Sequence, residues 1–354
     1  MSKIAIIGSG LAGLTLAHQL QPFAEIQLFD KAGHAGGRLA SRSVDQFSFD
    51  SGAQFFTVKT GRFADFIQPL IKQRVIQRWD ANFVEFSGSK QISRRTWNAD
   101  YPHYVGSSDM QAIGQTLAAS LNIQFNCKVT RLEQYNEKWQ LFSDDQLVAE
   151  NLDWVICCLP AKQTADMLPD NFQNLNVIQQ TQMQACYALM LGFDDAPELN
   201  WQAALVSDAI ISWMSVNSSK PSRPEGFSMV IQANNAWAEK HLQQANEIIQ
   251  QLMLAEVQRV SGINTAEASH VDLKRWVYAN LPPQTGQPAY LDTQLKLAAC
   301  GDWCIQGRVE AAFSSADALA EKLIPRCFST KLTIGLSSAP SPRNGFASLA
   351  TIAT

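Results

Sequence analysis

Apolar and polar positions fall into blocks along this chain. Ile4 to Ile7 is a short unbroken apolar run, the pattern of a strand covered on both faces. Leu11–Leu20 reads as a helix with small residues on one side, and Glu25–Phe29 as a second strand with Asp30 at its end. Together they predict a β-turn-α-β unit of about 30 residues. Further on, Asn122–Phe125 and Cys127–Leu132 read as short strands. Lys138–Phe142 and Gln146–Ala149 read as a hairpin, and Trp154–Leu159 as an apolar strand stopped by Pro160. Period-two alternation predicts strands at Ala185–Phe193, Ile210–Val216 and Phe227–Ala233. Residues 236–260 read as one amphipathic helix, with Trp237, Ala245, Ile248, Ile249, Leu252 and Val257 inward. Leu297–Cys300 is another apolar strand, and Ala311–Leu323 a last helix rich in small residues.

The 354 residues suggest about two domains. The hydrophobic share of 46% supports a sizeable core, and the 17% charged share argues against disorder. A net charge of -4 leaves no overall electrostatic footprint for nucleic acid and no polybasic membrane anchor. No apolar run approaches the ~18 residues that span a bilayer, and Met1–Gly8 lacks a signal-peptide pattern. A cytoplasmic location is expected. The seven cysteines are odd in number, and Cys157 and Cys158 sit in an apolar run. They are read as reduced, buried thiols, and no metal site is expected. From 327 to 354 the chain holds two basic and no acidic residues and is rich in Ser, Ala, Thr, Gly and Pro. That stretch is read as a disordered tail.

Three motifs carry chemistry. Gly8-Ser9-Gly10-Leu11-Ala12-Gly13 stands between the first strand and the first helix. Gly8 permits the tight turn, Gly10 lets a pyrophosphate approach the backbone, and Gly13 lets helix and strand pack closely. The helix amino terminus offers free N–H groups to phosphates. Asp30 lies 22 positions after Gly8, where a ribose-binding carboxylate is expected, and Lys31 follows it. The second motif is Gly36-Gly37-Arg38, followed by Leu39. Arg38 can neutralise pyrophosphate charge or grip the flavin end of a dinucleotide. The third is Gly301-Asp302, with Arg308, Val309 and Glu310 opening the last helix. A helix amino terminus aimed at a flavin would stabilise the negative charge of its reduced form.

These motifs occur in order with Phe49-Asp50-Ser51-Gly52-Ala53-Gln54-Phe55-Phe56, Tyr104-Val105-Gly106, Asn217-Ser218-Ser219-Lys220-Pro221, Arg275-Trp276 and Cys300-Gly301-Asp302-Trp303-Cys304. Over about residues 1–326 the chain resembles the renalase family, in particular its bacterial-type members, within the flavin amine oxidase group. The resemblance implies an α/β fold. A two-dinucleotide-binding, Rossmann-like FAD domain would span 1–60, 104–165 and 270–326. An inserted α+β substrate domain of antiparallel sheet plus helices would span 61–103 and 166–269. It implies non-covalent FAD, with Gln54, Phe55, Phe56, Val129 and Pro160 joining the motif residues around it. It also implies oxidation of 2- and 6-dihydro isomers of NAD(P) by hydride transfer to flavin N5, with O2 as acceptor and hydrogen peroxide as by-product. Gly33 stands where similar sequences often carry Arg, and Ala311 and Ala316 where they carry glycine.

A dihydronicotinamide is already a hydride donor, so no catalytic acid–base pair is required and none is evident. Candidates for the substrate pocket are Tyr104, Trp213 and Trp276 for stacking, Lys220 for a phosphate, and His241 on the amphipathic helix. Two other readings compete. One is a flavin amine oxidase or desaturase-like enzyme on the same fold. The other is a non-enzymatic binding protein, in the manner of Rab GDP-dissociation inhibitors.

Overall fold

The opening apolar run forms the strand Ser2–Ile7 because it is covered from both sides. Ala24–Phe29 pairs with it in parallel on one edge and Trp154–Cys157 on the other. Ile4 and Ile6 turn to one face, where they pack with the helix Leu11–Leu20. Ala5 and Ile7 turn to the opposite face, against Trp139, Leu141 and Leu152. This period-two division is why the run carries no polar residue. The computed structural model describes the backbone of residues 1–328 and the side chains of residues 1–325.

The sheet has six strands, in the order Tyr290–Asp292, Leu297–Ala299, Trp154–Cys157, Ser2–Ile7, Ala24–Phe29, Ile123–Gln124. Only the first pair is antiparallel. Parallel neighbours need long crossovers, and the helix Leu11–Leu20 is the first of them. It is buried nearly all round, between the sheet and the last helix, Val309–Phe328. His18 on this helix meets the Leu117 carbonyl at 2.7 Å, a structural role. An antiparallel sheet of Arg131–Tyr135, Lys138–Ser143 and Gln146–Leu152 covers the other face. The strand expected over Cys127–Leu132 begins only at Arg131. The Cys127 N–H donates to the Asp30 carbonyl at 2.9 Å, so the first residue of that stretch is held by the main sheet's second strand end, not by the hairpin.

A second sheet has seven strands, in the order His270–Asn280, Gln184–Phe193, Phe227–Ala233, Ile211–Val216, Ala203–Ser207, Asn82–Ser87, Lys90–Thr96. It departs from expectation twice. Ala203–Ser207 pairs in parallel with Asn82–Ser87, so the sheet is mixed rather than antiparallel. His270–Asn280, expected within the FAD domain, is an edge strand of this sheet, in register with Gln184–Phe193 from Gln184↔Asn280 to Gly192↔His270.

The helix expected over 236–260 is two helices, Asn235–Lys240 and Asn246–Ser261. The Asn234 side chain caps the first, accepting from Ala236 N and Trp237 N at 2.9 and 3.3 Å. The first helix then stops at His241, whose ring bonds back to the Trp237 carbonyl. In the second, Ile249, Met253, Val257 and Val260 are the buried stripe, while Ile248 and Leu252 are 49% and 42% exposed. Those two fall one residue out of phase with the stripe, about 100° round the helix. The last helix continues through Phe328, so residues 327 and 328 are helical rather than tail. The rest of the expected tail, 329–354, lies outside the described residues.

Candidate cofactor and substrate site

The carboxyl ends of the parallel strands open onto a cleft of about 2380 Å3, which runs on to the seven-stranded sheet. Single small-molecule pockets occupy roughly 300–1,000 Å3, so this cleft has room for a dinucleotide and a second molecule.

The first glycine loop is built for close approach. Gly8 has φ +105, and a Cβ at Gly13 would stand 2.0 Å from the Gly8 carbonyl oxygen. A Cβ at Gly10 would meet nothing within 4 Å, because that position faces the cleft. Gly10 caps the first helix without a side-chain hydrogen bond. Gly36 N donates to the Ser9 carbonyl at 2.9 Å, stitching the two glycine motifs together. Ser9 and Gly13 do not themselves line the cleft. Ser9 instead gives both its N–H and its hydroxyl to Asp30 Oδ2, at 2.7 and 2.6 Å, while Ala32 N donates to Oδ1 at 2.9 Å. Asp30 lines the cleft with Lys31 beside it.

Arg38 and Asp302 meet across the cleft in a bidentate pair, with NH1 donating to Oδ2 at 2.8 Å and NH2 to Oδ1. The second and third sequence motifs therefore converge on one ion pair, where the sequence alone predicts two separate cofactor contacts. The last helix starts at the same wall. Gly301, Arg308, Val309 and Glu310 line it, as do Gly37 and Leu39 from the second motif and Val129 and Pro160 from the facing loops. Glu310 also accepts from Lys59 N and Thr60 N at 2.8 Å each and from Thr60 Oγ1 at 2.7 Å. Thr60 caps the helix Gly61–Lys72, so Glu310→Ala should lower stability by about 1–2 kcal/mol. The shift in urea midpoint of the cofactor-free protein measures this.

Gln54, Phe55 and Phe56 lie on the cleft wall. Phe55 sits at the centre of an aromatic group, 5.1 Å from Trp97, 5.1 Å from His103 and 5.2 Å from Trp213. Trp97 and His103 stack face to face at 3.6 Å. Burial, then the charges of Arg95 and Lys59, lower the pKa of His103 against the pull of its bond to the Tyr101 carbonyl. Trp213 and Trp276 line the cleft as expected, the latter tied by Nε1 to the Ser51 carbonyl at 2.8 Å.

Three expected pocket residues lie elsewhere. Tyr104 stands behind the wall, stacked on Phe56 and bridged to its backbone. His241 is stacked on Trp237 at 4.4 Å, away from the cleft. Lys220 is fully buried rather than set for a phosphate. Its Nζ donates to Asp50 Oδ2 and Asn217 Oδ1 at 2.8 Å each. Arg223 NH2 donates to the same Asp50 oxygen at 2.7 Å. Ser41 Oγ and Met110 N hold the other oxygen at 2.9 Å. Burial alone would raise the Asp50 pKa, but the two cations override it and hold it at about 2. Burial takes Lys220 down to about 8, with Arg223 adding to the effect against Asp50. This cluster ties Asp50 to the 217–223 loop, and Gln54, which accepts from Ser215 Oγ at 2.9 Å, links it to the cleft wall.

Charge around the cleft is uneven. Nine Lys and Arg side chains line it against four carboxylates, in a chain of net charge -4. Every one of the four is already engaged by protein donors: Asp30 by Ser9 and Ala32, Asp166 by Lys162, Asp302 by Arg38, and Glu310 by Lys59 and Thr60. The cysteines at Cys127, Cys157, Cys158, Cys186, Cys300 and Cys304 are free thiols, with Cys158 and Cys300 Sγ 3.5 Å apart. Burial raises the Cys157 thiol to about 12. Among the described residues, no three His, Cys, Asp or Glu side chains gather as metal ligands, and no helix is long and apolar enough to cross a membrane.

Residues 81–324 match the model of the flavin containing amine oxidoreductase family, and residues 6–70 that of an NAD(P)-binding Rossmann-like domain. The chain belongs to the flavin-containing amine oxidoreductase family. It is a renalase-like flavoprotein, 24% identical over 353 residues to renalase of Mus musculus, covering 89% of this chain and 97% of that one. Its fold is similar to that of reduced UDP-galactopyranose mutase, with a TM-score of 0.73 at 12% identity over 91% of this chain and 96% of that one. It is also similar to putrescine oxidase bound to putrescine, with a TM-score of 0.67 at 11% identity over 92% and 99%. The protein is a flavin-dependent oxidoreductase and its cofactor is FAD. The residues present fit that group, with open space at Gly10, an uncapped helix start, and Lys31 and Arg308 on the cleft wall without an ion pair among the described residues.

Proposed function

We propose that the protein oxidises the 2- and 6-dihydro isomers of NAD(P), with oxygen as the final acceptor and hydrogen peroxide as by-product. The observation that carries this reading is the state of the cleft carboxylates, all of which are engaged by protein donors. An amine substrate arrives as a cation and must lose a proton before oxidation. This cleft offers it an excess of positive charge and, among the described residues, no carboxylate free of protein donors to receive that proton. A dihydronicotinamide needs neither, only a flat surface and alignment. Non-covalently bound FAD would supply the hydride-accepting and oxygen-reducing chemistry.

The chain's own residues bind and orient. Gly10, the first helix start and Lys31 would receive the dinucleotide phosphates, and Asp30, fixed by Ser9, would bind the ribose. The start of the Val309–Phe328 helix, on the cleft wall, would offer partial positive charge to the reduced flavin. Phe55, Trp97 and Trp213 give the substrate ring its stacking surface and exclude water from one side. The lowered pKa of His103 leaves its ring neutral at pH 7, so it adds a further flat face.

Anaerobic stopped-flow mixing tests this. An equilibrated mixture of NAD(P)H isomers should bleach the flavin through its minor forms, and admitted oxygen should restore the colour with peroxide release. Benzylamine should leave the flavin oxidised. Bleaching by benzylamine with none by any dihydronicotinamide would transfer the assignment to the amine-oxidase alternative.

A further inference from the structure

We infer that Lys59 and Arg95 form a phosphate subsite for the substrate at the rim of the aromatic pocket. This rests on the dihydronicotinamide reading and adds the groups that select its phosphorylated forms. Both side chains line the cleft. The Phe83 ring beneath Arg95 stacks on Trp97 at 5.3 Å, and Lys59 follows Phe55 by four residues along the same wall. Two cations therefore stand beside the flat surface that takes the ring. The Arg95 guanidinium lies 4.6 Å over the Phe83 ring, which sets its plane. Glu85 comes within 3.4 Å of its NH2, and among the described residues the guanidinium makes no hydrogen bond, which leaves its donor fork open. Lys59 gives its backbone N–H to Glu310, and its ammonium has no ion pair among the described residues. Glu310 itself already accepts three bonds.

Two open cations on one rim suit a phosphate dianion, since each contributes attraction at short range and both steer the encounter. They also have a second effect. A dihydronicotinamide ring is neutral and becomes cationic on oxidation, so the same charges oppose the product ring.

The test compares 6-dihydronicotinamide riboside with its mononucleotide, which differ only by the phosphate. The readout is the second-order constant for anaerobic flavin bleaching at low and high KCl. In the wild type the mononucleotide should react about 5–10-fold faster at low salt, and added salt should narrow the gap. The double variant Lys59→Gln/Arg95→Gln should bring the ratio near one and remove its salt dependence. Bound-flavin absorbance and melting temperature confirm that the variant is folded. A wild-type ratio of one, or a ratio that survives in the variant, overturns the subsite and leaves the substrate reading standing. No bleaching by either compound overturns both.

Discussion

Gly10→Val protein is expected to fold and to purify colourless. A Cβ at this position meets nothing within 4 Å beyond its chain neighbours, and the backbone at φ -70 and ψ 177 accepts any residue. Stability of the cofactor-free protein should change by no more than about 1 kcal/mol, the scale of an altered helix cap. On the proposed site, the added methyl groups would occupy the space that the pyrophosphate needs to reach the helix start. FAD affinity should fall on the order of 100-fold, since overpacking and lost N–H contacts together cost about 2–3 kcal/mol. Gly13→Val provides the contrast, because its Cβ would overlap the Gly8 carbonyl oxygen at 2.0 Å. That variant should lose its fold as well as its colour. Flavin absorbance and urea unfolding, read on both variants, separate a ligand-facing glycine from a packing one. Retained flavin in Gly10→Val would show that the dinucleotide does not pass this point.

The largest effect on stability is expected at Asp50. Its carboxylate faces two buried cations, Lys220 and Arg223, and all three side chains are fully enclosed. Asp50→Ala leaves two unpaired charges away from water, at a cost of about 3–5 kcal/mol. Lys220→Met should be milder, because Asp50 keeps Arg223. The pH dependence follows from the shifts. Asp50 is held at about 2, below its ordinary 3.8. Its contribution is therefore present above about pH 4 and is lost as pH falls toward 2. Lys220 is lowered to about 8 from 10.5, so the unfolded chain binds more protons between those values. Its contribution rises with pH through that window, from about 8 to 10.5. Urea midpoints across pH 3–10 should show both slopes in the wild type and lose the alkaline one in Lys220→Met. A flat profile over pH 3–5 would mean that Asp50 is not ionised within the fold.

The parts of this molecule that sequence reveals are those whose cause is local. The first β-turn-α-β unit is legible because a buried strand, a glycine turn and an enclosed helix each leave a pattern within a few residues. Trp213 and Trp276 could be placed at the pocket, but Trp97, His103 and Arg95 could not. Those three belong to a segment without a motif. Arg95 reaches the cleft because Lys90–Thr96 pairs with Asn82–Ser87, which pairs with Ala203–Ser207 more than a hundred residues away, while Trp97 N and the His103 carbonyl bond to Ala81 and Trp79. Lys220 was misread for a related reason, since the carboxylate that buries it is 170 positions earlier. The break at His241 was missed because apolar residues on both sides continue the helical period, while the turn between them is fixed by a bond from the ring to Trp237.

The order of the six-stranded sheet also bears on how the protein is made. Its centre holds the first strand, yet one neighbour is supplied by residues 154–157 and the strand beyond that by residues 297–299. Arg38 finds Asp302 only after 264 further positions. The amino-terminal half of the cofactor cradle thus leaves the ribosome long before the half that closes it. During that interval the edges of its parallel strands are unpaired and its core face is open, the state most exposed to misassociation. Cofactor capture is therefore a late event in biogenesis, and a nascent chain halted before Asp302 should emerge without flavin.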